Sequence, residues 1–329
     1  MFTRVAFIIG VVMLLWAAAA APASTAGEEI YVLEVEGTIT RGQLEYIQRH
    51  LETAQKEDAA LVVIILNTPG GLVDATLKIN EAFLNAAVPV AVLVSPQGAI
   101  AASAGVFLVL GSDIAAMAPG TTVGAAYPVA LSAEGATPAD DKTATFLAKH
   151  LRSLAGEKGR PADVAEKFVT ENLTLAAEEA LELGVIEYIA SNLEELLEAL
   201  DGHELEKMGR RYVLHTAGAP VKYADPNLRE RLQHWLSNPQ IAFLLLSLGI
   251  LGIYLGISAP GTFVPEVIGG ILLVMGIYGI GMFDTSTAGI VLLLLGAGLI
   301  IAEIFTAGFG VLGIGGGVCL LAGAILLPV

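Results

Sequence analysis

Cysteine is all but missing from this chain: its one residue, Cys319, lies in an apolar run near the carboxyl end, so neither a disulfide framework nor a cysteine metal site can form within one chain. Cations are scarce too. Seventeen Lys and Arg stand against 33 Asp and Glu, a formal charge of −16, which disfavours a nucleic acid partner and suits a solvated surface facing away from anionic lipid. From Ile241 to Val329 there is no Lys or Arg at all, and the only acids are Glu266, Asp284 and Glu303. Nothing in that stretch supplies a polar surface, which argues against a soluble helical core.

What is there instead is hydrophobic residue, 55% of the chain against 15% charged, the balance of a membrane protein. Four apolar stretches, Ile241–Ser258, Val267–Phe283, Gly289–Phe305 and Phe309–Leu327, are each near the ~20 residues that cross a bilayer. Ala259-Pro260-Gly261, Phe283-Asp284-Thr285 and Thr306-Ala307-Gly308 punctuate them. At the other end Arg4 precedes the apolar run Val5 to Ala21, and small residues close it, as in a signal peptide or uncleaved anchor. By the positive-inside rule Arg4 stays in the cytoplasm, and the part from about Gly27 to Asn238 is exported. The lack of basic residues in the last four stretches leaves their orientation open.

Between Glu28 and Ile189, short β-rich runs alternate with helical ones, the pattern of an α/β domain. Expected strands are Ile30–Val35, Leu61–Leu66, Val88–Val94, Ile114–Met117 and Val185–Ile186. Thr40–Ala54, Asp74–Asn85 and Lys142–Leu154 carry apolar residues at helical spacing. Asp140 and Asp141 suit the positive end of the third helix, and Gly184 is placed as a helix C-cap. From Ser191 to Leu236 the chain turns polar, with a short helix, a β segment at Arg211–His215 and a connector to the membrane. The expected domains are thus 1–26, a signal or anchor; 27–190, the α/β domain; 191–238, a polar connector; and 239–329, about four transmembrane helices.

Two loops carry chemistry. Asn67-Thr68-Pro69-Gly70-Gly71 ends the Ala59–Leu66 run, which reads as a strand buried on both faces; its glycines leave backbone N–H groups bare, with no Cβ to block a substrate carbonyl. Thirty residues on, Ala101-Ala102-Ser103-Ala104-Gly105 sets one hydroxyl among small residues where a peptide backbone can approach. A helix start behind Ser103 makes the N–H of Ala104 one oxyanion donor. Gly70 or Gly71 supplies the other, and both are equally permissive. Ser95 and Ser112 sit in ordinary turns, and Asp74 reads as a helix cap.

These loops, together with Gly98-Ala99-Ile100, Met117-Ala118-Pro119-Gly120-Thr121-Thr122-Val123-Gly124-Ala125 and Leu173-Thr174-Leu175 running into Glu178-Glu179-Ala180, resemble the NfeD-type membrane-bound serine proteases, relatives of the Clp protease subunit and of signal peptide peptidase A. The resemblance covers almost the whole chain. It implies a Clp/crotonase-type domain of stacked ββα units followed by a multi-span helical bundle, attack by Ser103, and a lysine as base. It implies no cofactor or metal, hydrophobic segments of membrane proteins as substrate, a stomatin-like protein as substrate or partner, and a homo-oligomer in the membrane lipid. The longer members carry a small β-barrel after the helices, and this chain ends at Leu326-Leu327-Pro328-Val329.

The base must lie in the exported domain and lose its charge by burial. Lys142 fits, at the start of a helix with Ala144, Phe146 and Leu147, where apolar neighbours favour a neutral amine; the family's lysine aligns with it, counted back from Ser153-Leu154 and Gly159-Arg160. Lys149, two turns on, is the second choice, and a solvated helix start beside Asp140 and Asp141 is the alternative for Lys142. A histidine triad would use the same loops, yet Ala125-Ala126-Tyr127-Pro128, where the Clp histidine would fall, has none. A groove for extended peptide is expected beside the Pro-Gly-Gly turn, with Val88–Val94 as its apolar lining. Other readings are an inactive scaffold whose glycine-rich helices gather a partner, and an acyl-CoA enzyme on the same fold, which export disfavours.

Overall fold

The computed structural model describes residues 29–132, 135–236, 238–258, 263–280, 285–305 and 310–327. The expected signal segment 1–26 lies outside them, as do most of the turns between the apolar stretches.

Strand β1 (Ile30–Glu36) leads through α1 (Arg41–Lys56) to β2 (Leu61–Asn67), and α2 (Val73–Asn85) leads on to β3 (Val90–Val94). Next come β4 (Ile100–Ala102), α3 (Ala104–Gly111), β5 (Ile114–Met117), β6 (Thr122–Gly124) and the antiparallel pair β7 (Val129–Ser132) and β8 (Gly135–Pro138). Helices α4 (Asp141–Glu157) and α5 (Ala162–Thr170) precede β9 (Thr174–Ala176), α6 (Ala177–Glu182), β10 (Tyr188–Ile189) and α7 (Leu193–Ala199). A hairpin of β11 (Glu204–Lys207) and β12 (Arg210–Val213), then β13 (Val221–Tyr223) and α8 (Leu228–Leu236), complete this part.

Six strands form one sheet in the order β10-β5-β3-β2-β1-β13, and every pairing in it is parallel. Parallel strands covered on both faces need apolar side chains on both, which the Val- and Ile-rich runs supply. Val62, Ile64 and Leu66 point into one core beneath α1 to α4, whereas Leu61 and Val63 join Leu196, Leu197 and Leu200 of the α7 region on the other face. A second sheet, β4-β6-β9, stands beside the first, joined to it by a bridge between Thr68 and Ala101.

Three boundaries differ from expectation. Val185 and Ile186 are not a strand: both N–H groups donate to the Ala180 carbonyl in the turn that Gly184 (φ 72°) makes after α6, and pairing with β5 starts two residues later. Residues 191–223 do more than connect. Leu196, Leu200 and Leu214 are fully buried, and β13 extends the main sheet next to β1, Ile30 opposite Val221. Asp74 pairs with Lys78 one turn on (3.1 Å) and does not cap α2.

The apolar region forms α9 (Pro239–Ser258), α10 (Val264–Gly279), α11 (Thr285–Phe305) and α12 (Val311–Leu326). Two of them hold segments long and apolar enough to cross a membrane, Gln240–Ser258 and Thr287–Phe305, of 19 residues each. The other two are apolar but shorter. Helix α9 packs on α10 through facing glycines, where a Cβ on Gly252 would lie 2.8 Å from the Gly269 Cα, and α11 packs on α12 in the same way through Gly296 and Gly316.

Candidate active site

Ser103 sits on the turn from β4 into α3, with φ 51° and ψ −107°. A non-glycine residue held at positive φ costs of order 1–3 kcal/mol and persists only where its surroundings enforce it; here its N–H donates to Gly124 O (3.1 Å) and its carbonyl accepts from Val106. The sharp strand-to-helix turn is the geometry that lifts a serine hydroxyl out of a sheet. All eight residues of α3 are buried, so its amino end points at Ser103 from within the core. Its other end is closed by Arg160, itself 4% exposed, whose guanidinium donates to the carbonyls of Val109, Leu110 and Ser112 and pairs with Glu187 at 2.8 Å. A cation there suits the negative end of the helix.

The Pro-Gly-Gly turn faces this serine. A Cβ on Gly70 (φ 125°) would lie 2.8 Å from Ser103 Cβ and 3.3 Å from its Oγ, so only glycine allows the approach. The N–H of Gly70 is already engaged, donating to Thr68 Oγ1 at 3.0 Å. Gly71 forms a bridge with Ile39, in which Ile39 N–H donates to Gly70 O and Leu72 N–H to Ile39 O. Among the described residues no hydrogen bond engages the N–H of Gly71 or that of Ala104. Of the two equally permissive glycines, Gly70 thus has its N–H engaged and Gly71 has none of the described hydrogen bonds on its own.

Gly71, Ser103 and Ala104 line one pocket, whose other walls include Val73, Leu77, Phe107 and Leu147. The apolar lining therefore comes from helices α2, α3 and α4. It does not come from Val88–Val94, because β3 lies mid-sheet with all five residues buried.

Helix α4 reaches the pocket through Leu147, but Lys142 does not share its walls. Lys142 is exposed in the first turn of α4, just after Asp140 caps the helix by accepting from the Thr143 N–H. That bond holds the Asp140 carboxyl below the usual range. The burial expected for Lys142 is absent because the buried face of α4 runs through Leu147, Ala148, Leu151, Leu154 and Ala155, and Lys142 falls outside it. Among the described residues no hydrogen bond joins Ser103 to Lys142. Lys149 is held in an ion pair with Glu166 at 2.6 Å.

Three of the histidines make contacts of their own, and His215 is exposed. His50 contacts Arg49 and the ring of Tyr46, and His203 meets the Tyr188 hydroxyl. His150 is stacked between Phe107 and Phe146, at centroid distances of 6.4 and 6.0 Å, with its Nε2 buried and without a hydrogen-bond partner. Burial pushes its pKa down. Ser112 is fully buried, donating to Val109 and Ile114 carbonyls, and Ser95 precedes a cis proline. No group of residues suited to a metal ion occurs among the described residues.

One cluster had no sequence signal. Asp113, 7% exposed at its side chain, pairs with Lys158 (2.6 Å) and Lys207 (2.5 Å), and Lys207 also donates to the carbonyls of Phe83 and Val88. It ties the β11–β12 hairpin to the turn that follows α3.

Residues 29–207 match the family model described as the NfeD1b N-terminal domain, and residues 240–329 match the NfeD integral membrane domain. The chain is 38% identical over 247 residues to the membrane-bound protease PH1510 of Pyrococcus horikoshii, and 29% identical over 255 residues to the membrane protein NfeD1b of Bacillus subtilis. These regions cover 74% of this chain in each case but 56% and 54% of the relatives, so the chain spans just over half the length of the curated relatives it matches. Among solved structures, the 1510-N membrane-bound stomatin-specific protease, as a lysine-to-alanine mutant in complex with a substrate peptide, superposes with a TM-score of 0.60 at 36% identity, over 63% of this chain and 96% of that one. A serine-to-alanine mutant of that protease superposes with a TM-score of 0.58 at 37% identity, over 60% of this chain and 98% of that one. From its α/β domain to its apolar helices, the chain belongs to the NfeD family of membrane proteins.

Proposed function

We propose that this chain is a membrane-held serine peptidase in which Ser103 is the nucleophile, Lys142 the base, and the N–H groups of Gly71 and Ala104 the oxyanion donors. The observation that carries the reading is the convergence of a strained serine and two unengaged backbone N–H groups on one apolar pocket. Donors held in place before the reaction stabilise the charge of a tetrahedral intermediate at no further cost of reorganisation. In the first step Lys142 Nζ takes the Ser103 proton as Oγ bonds to the scissile carbonyl carbon. Collapse of the intermediate breaks the C–N bond, the protonated lysine gives its proton to the leaving amine, and water then releases the acyl group by the same route.

Lys142 is supported as base over Lys149 by the ion pair that occupies Lys149, and a lysine base in general is supported by a relative's lysine mutant holding a substrate peptide. A peptide laid along the turn would exclude water from the exposed start of α4. The apolar walls of the pocket suit hydrophobic segments of membrane-associated proteins, with a stomatin-like protein as the substrate suggested by the named relatives. We place the peptidase domain on the extracytoplasmic side, four apolar helices in the bilayer as two hairpins, and the working form as a homo-oligomer. The test is cleavage of apolar peptides by the full chain in detergent. Ser103→Ala and Lys142→Ala should each abolish turnover with the fold intact, and an inert parent or an active variant of either kind would refute the dyad.

A further inference from the structure

Gly70 and Gly71 are the least restrained pair of residues a turn can contain, yet the peptide between them must keep one face towards Ser103. That peptide is planar and trans, so its carbonyl and its N–H point to opposite sides. A flip would turn the Gly71 donor away and aim the Gly70 carbonyl at the developing negative charge. We propose that Thr68 is the positioning residue that prevents this flip; the proposal rests on the peptidase reading above.

Thr68 is fully buried and bonded in both directions. Its backbone is stitched to the strand that ends at the nucleophile: its N–H donates to Ile100 O (2.8 Å), and its carbonyl accepts from Ala102 N–H (3.0 Å). Its hydroxyl, two residues from the peptide in question, donates to Gly70 O at 3.1 Å and accepts from Gly70 N–H at 3.0 Å. Gly70 O also takes the Ile39 N–H at 2.8 Å. With that carbonyl held from two sides, the N–H of Gly71 is left facing the pocket it shares with Ser103. The methyl Cγ2 of Thr68 lies where a Cβ on Gly105 would come within 2.8 Å, so one side chain touches the turn and the first residues of α3 together. Pro69 fixes the backbone between the two bonded residues.

The test compares Thr68→Val, which keeps the shape and the methyl but loses the hydroxyl, with Thr68→Ser, which keeps the hydroxyl. Both are made in the full chain in detergent, with melting temperatures recorded. One oxyanion donor is worth ~10²–10³ in kcat, so Thr68→Val is expected to lower kcat by about tenfold or more with KM within about twofold. Affinity for a peptide aldehyde, whose adduct carries the oxyanion, should fall by the same factor, while Thr68→Ser stays within about threefold of the parent. Independently of cleavage, hydrogen exchange at the amides of residue 68 and of residues 70–72 should quicken in Thr68→Val and not in Thr68→Ser. Parental kcat and exchange in Thr68→Val overturn the proposal, as does an equal loss in both variants. A parent that cleaves nothing overturns the peptidase reading instead, and the exchange arm then still decides whether Thr68 holds the turn.

Discussion

Gly71→Ala is the sharpest probe of the proposed oxyanion turn, because the obstacle to a methyl group there is backbone. A Cβ at Gly71 would lie 2.5 Å from Ile39 N and 2.6 Å from Ile39 Cα, and nearer still to Ile39 O, short of the 3.4 Å at which ordinary contact begins. No side chain can swing aside. The turn must yield by more than about 0.9 Å or break its bridge to Ile39, and a displacement near 1 Å at a reacting centre costs ~10²-fold in rate, about 2.7 kcal/mol of transition-state stabilisation. Overpacking of this kind adds about 1–3 kcal/mol of lost stability. The expected result is a kcat at least about a hundredfold lower for apolar peptide cleavage by the full chain, with a fold that still melts cooperatively. Gly156→Ala is the control: it lies in α4 with nothing within 4 Å of a new Cβ, and should gain up to about 1 kcal/mol from helix propensity with unchanged turnover. A Gly71→Ala enzyme within tenfold of the parent would show that this peptide does not hold the oxyanion.

Asp113→Ala leaves Lys207 and Lys158 facing each other with no anion between them, and should cost about 3–5 kcal/mol in urea unfolding; a loss under about 1 kcal/mol would mean that water already serves the cluster. Lys149→Ala breaks only a half-exposed ion pair, so turnover should match the parent and stability should change by less than about 1 kcal/mol. Burial lowers the pKa of His150 below its unfolded value, so the unfolded chain takes up the proton first and stability, full above about pH 6.5, falls as pH drops through that window. His150→Phe should flatten the dependence of melting temperature on pH between 7 and 5, and an unchanged slope would assign it to His50, whose pKa burial also lowers. Gly252→Leu drives a side chain into the Gly269 backbone and should part α9 from α10, read as faster proteolysis of the detergent-solubilised chain.

How much of this was legible follows from the range over which each feature is encoded. The strands Leu61–Asn67 and Ile114–Met117, the helices around them and the Asp140 cap are written in consecutive residues, and all appear close to where the local pattern puts them. The turn and the serine loop are equally local, since Gly, Pro and Ala state what the backbone there must do. Choosing between Gly70 and Gly71 needed a bond from Thr68 two residues away and a bridge to Ile39, thirty-two residues upstream. The Asp113 cluster spans separations of 45 and 94 residues, and β13 pairs with the opposite end of the domain, distances over which no sequence period reaches. The proposed base, Lys142, is the hardest case because its environment depends on how a helix is rotated. Lys142 precedes the pocket residue Leu147 by five positions, which at 3.6 residues per turn sets them about 140° apart. The same apolar spacing that announced α4 therefore turned Leu147 inward and Lys142 outward, so a lysine beside apolar residues in sequence lies beside solvent in the fold. In the peptidase proposed above, Ser103 and the N–H groups of Gly71 and Ala104 stand on one pocket before substrate arrives, and a bound peptide would have to cover the exposed start of α4.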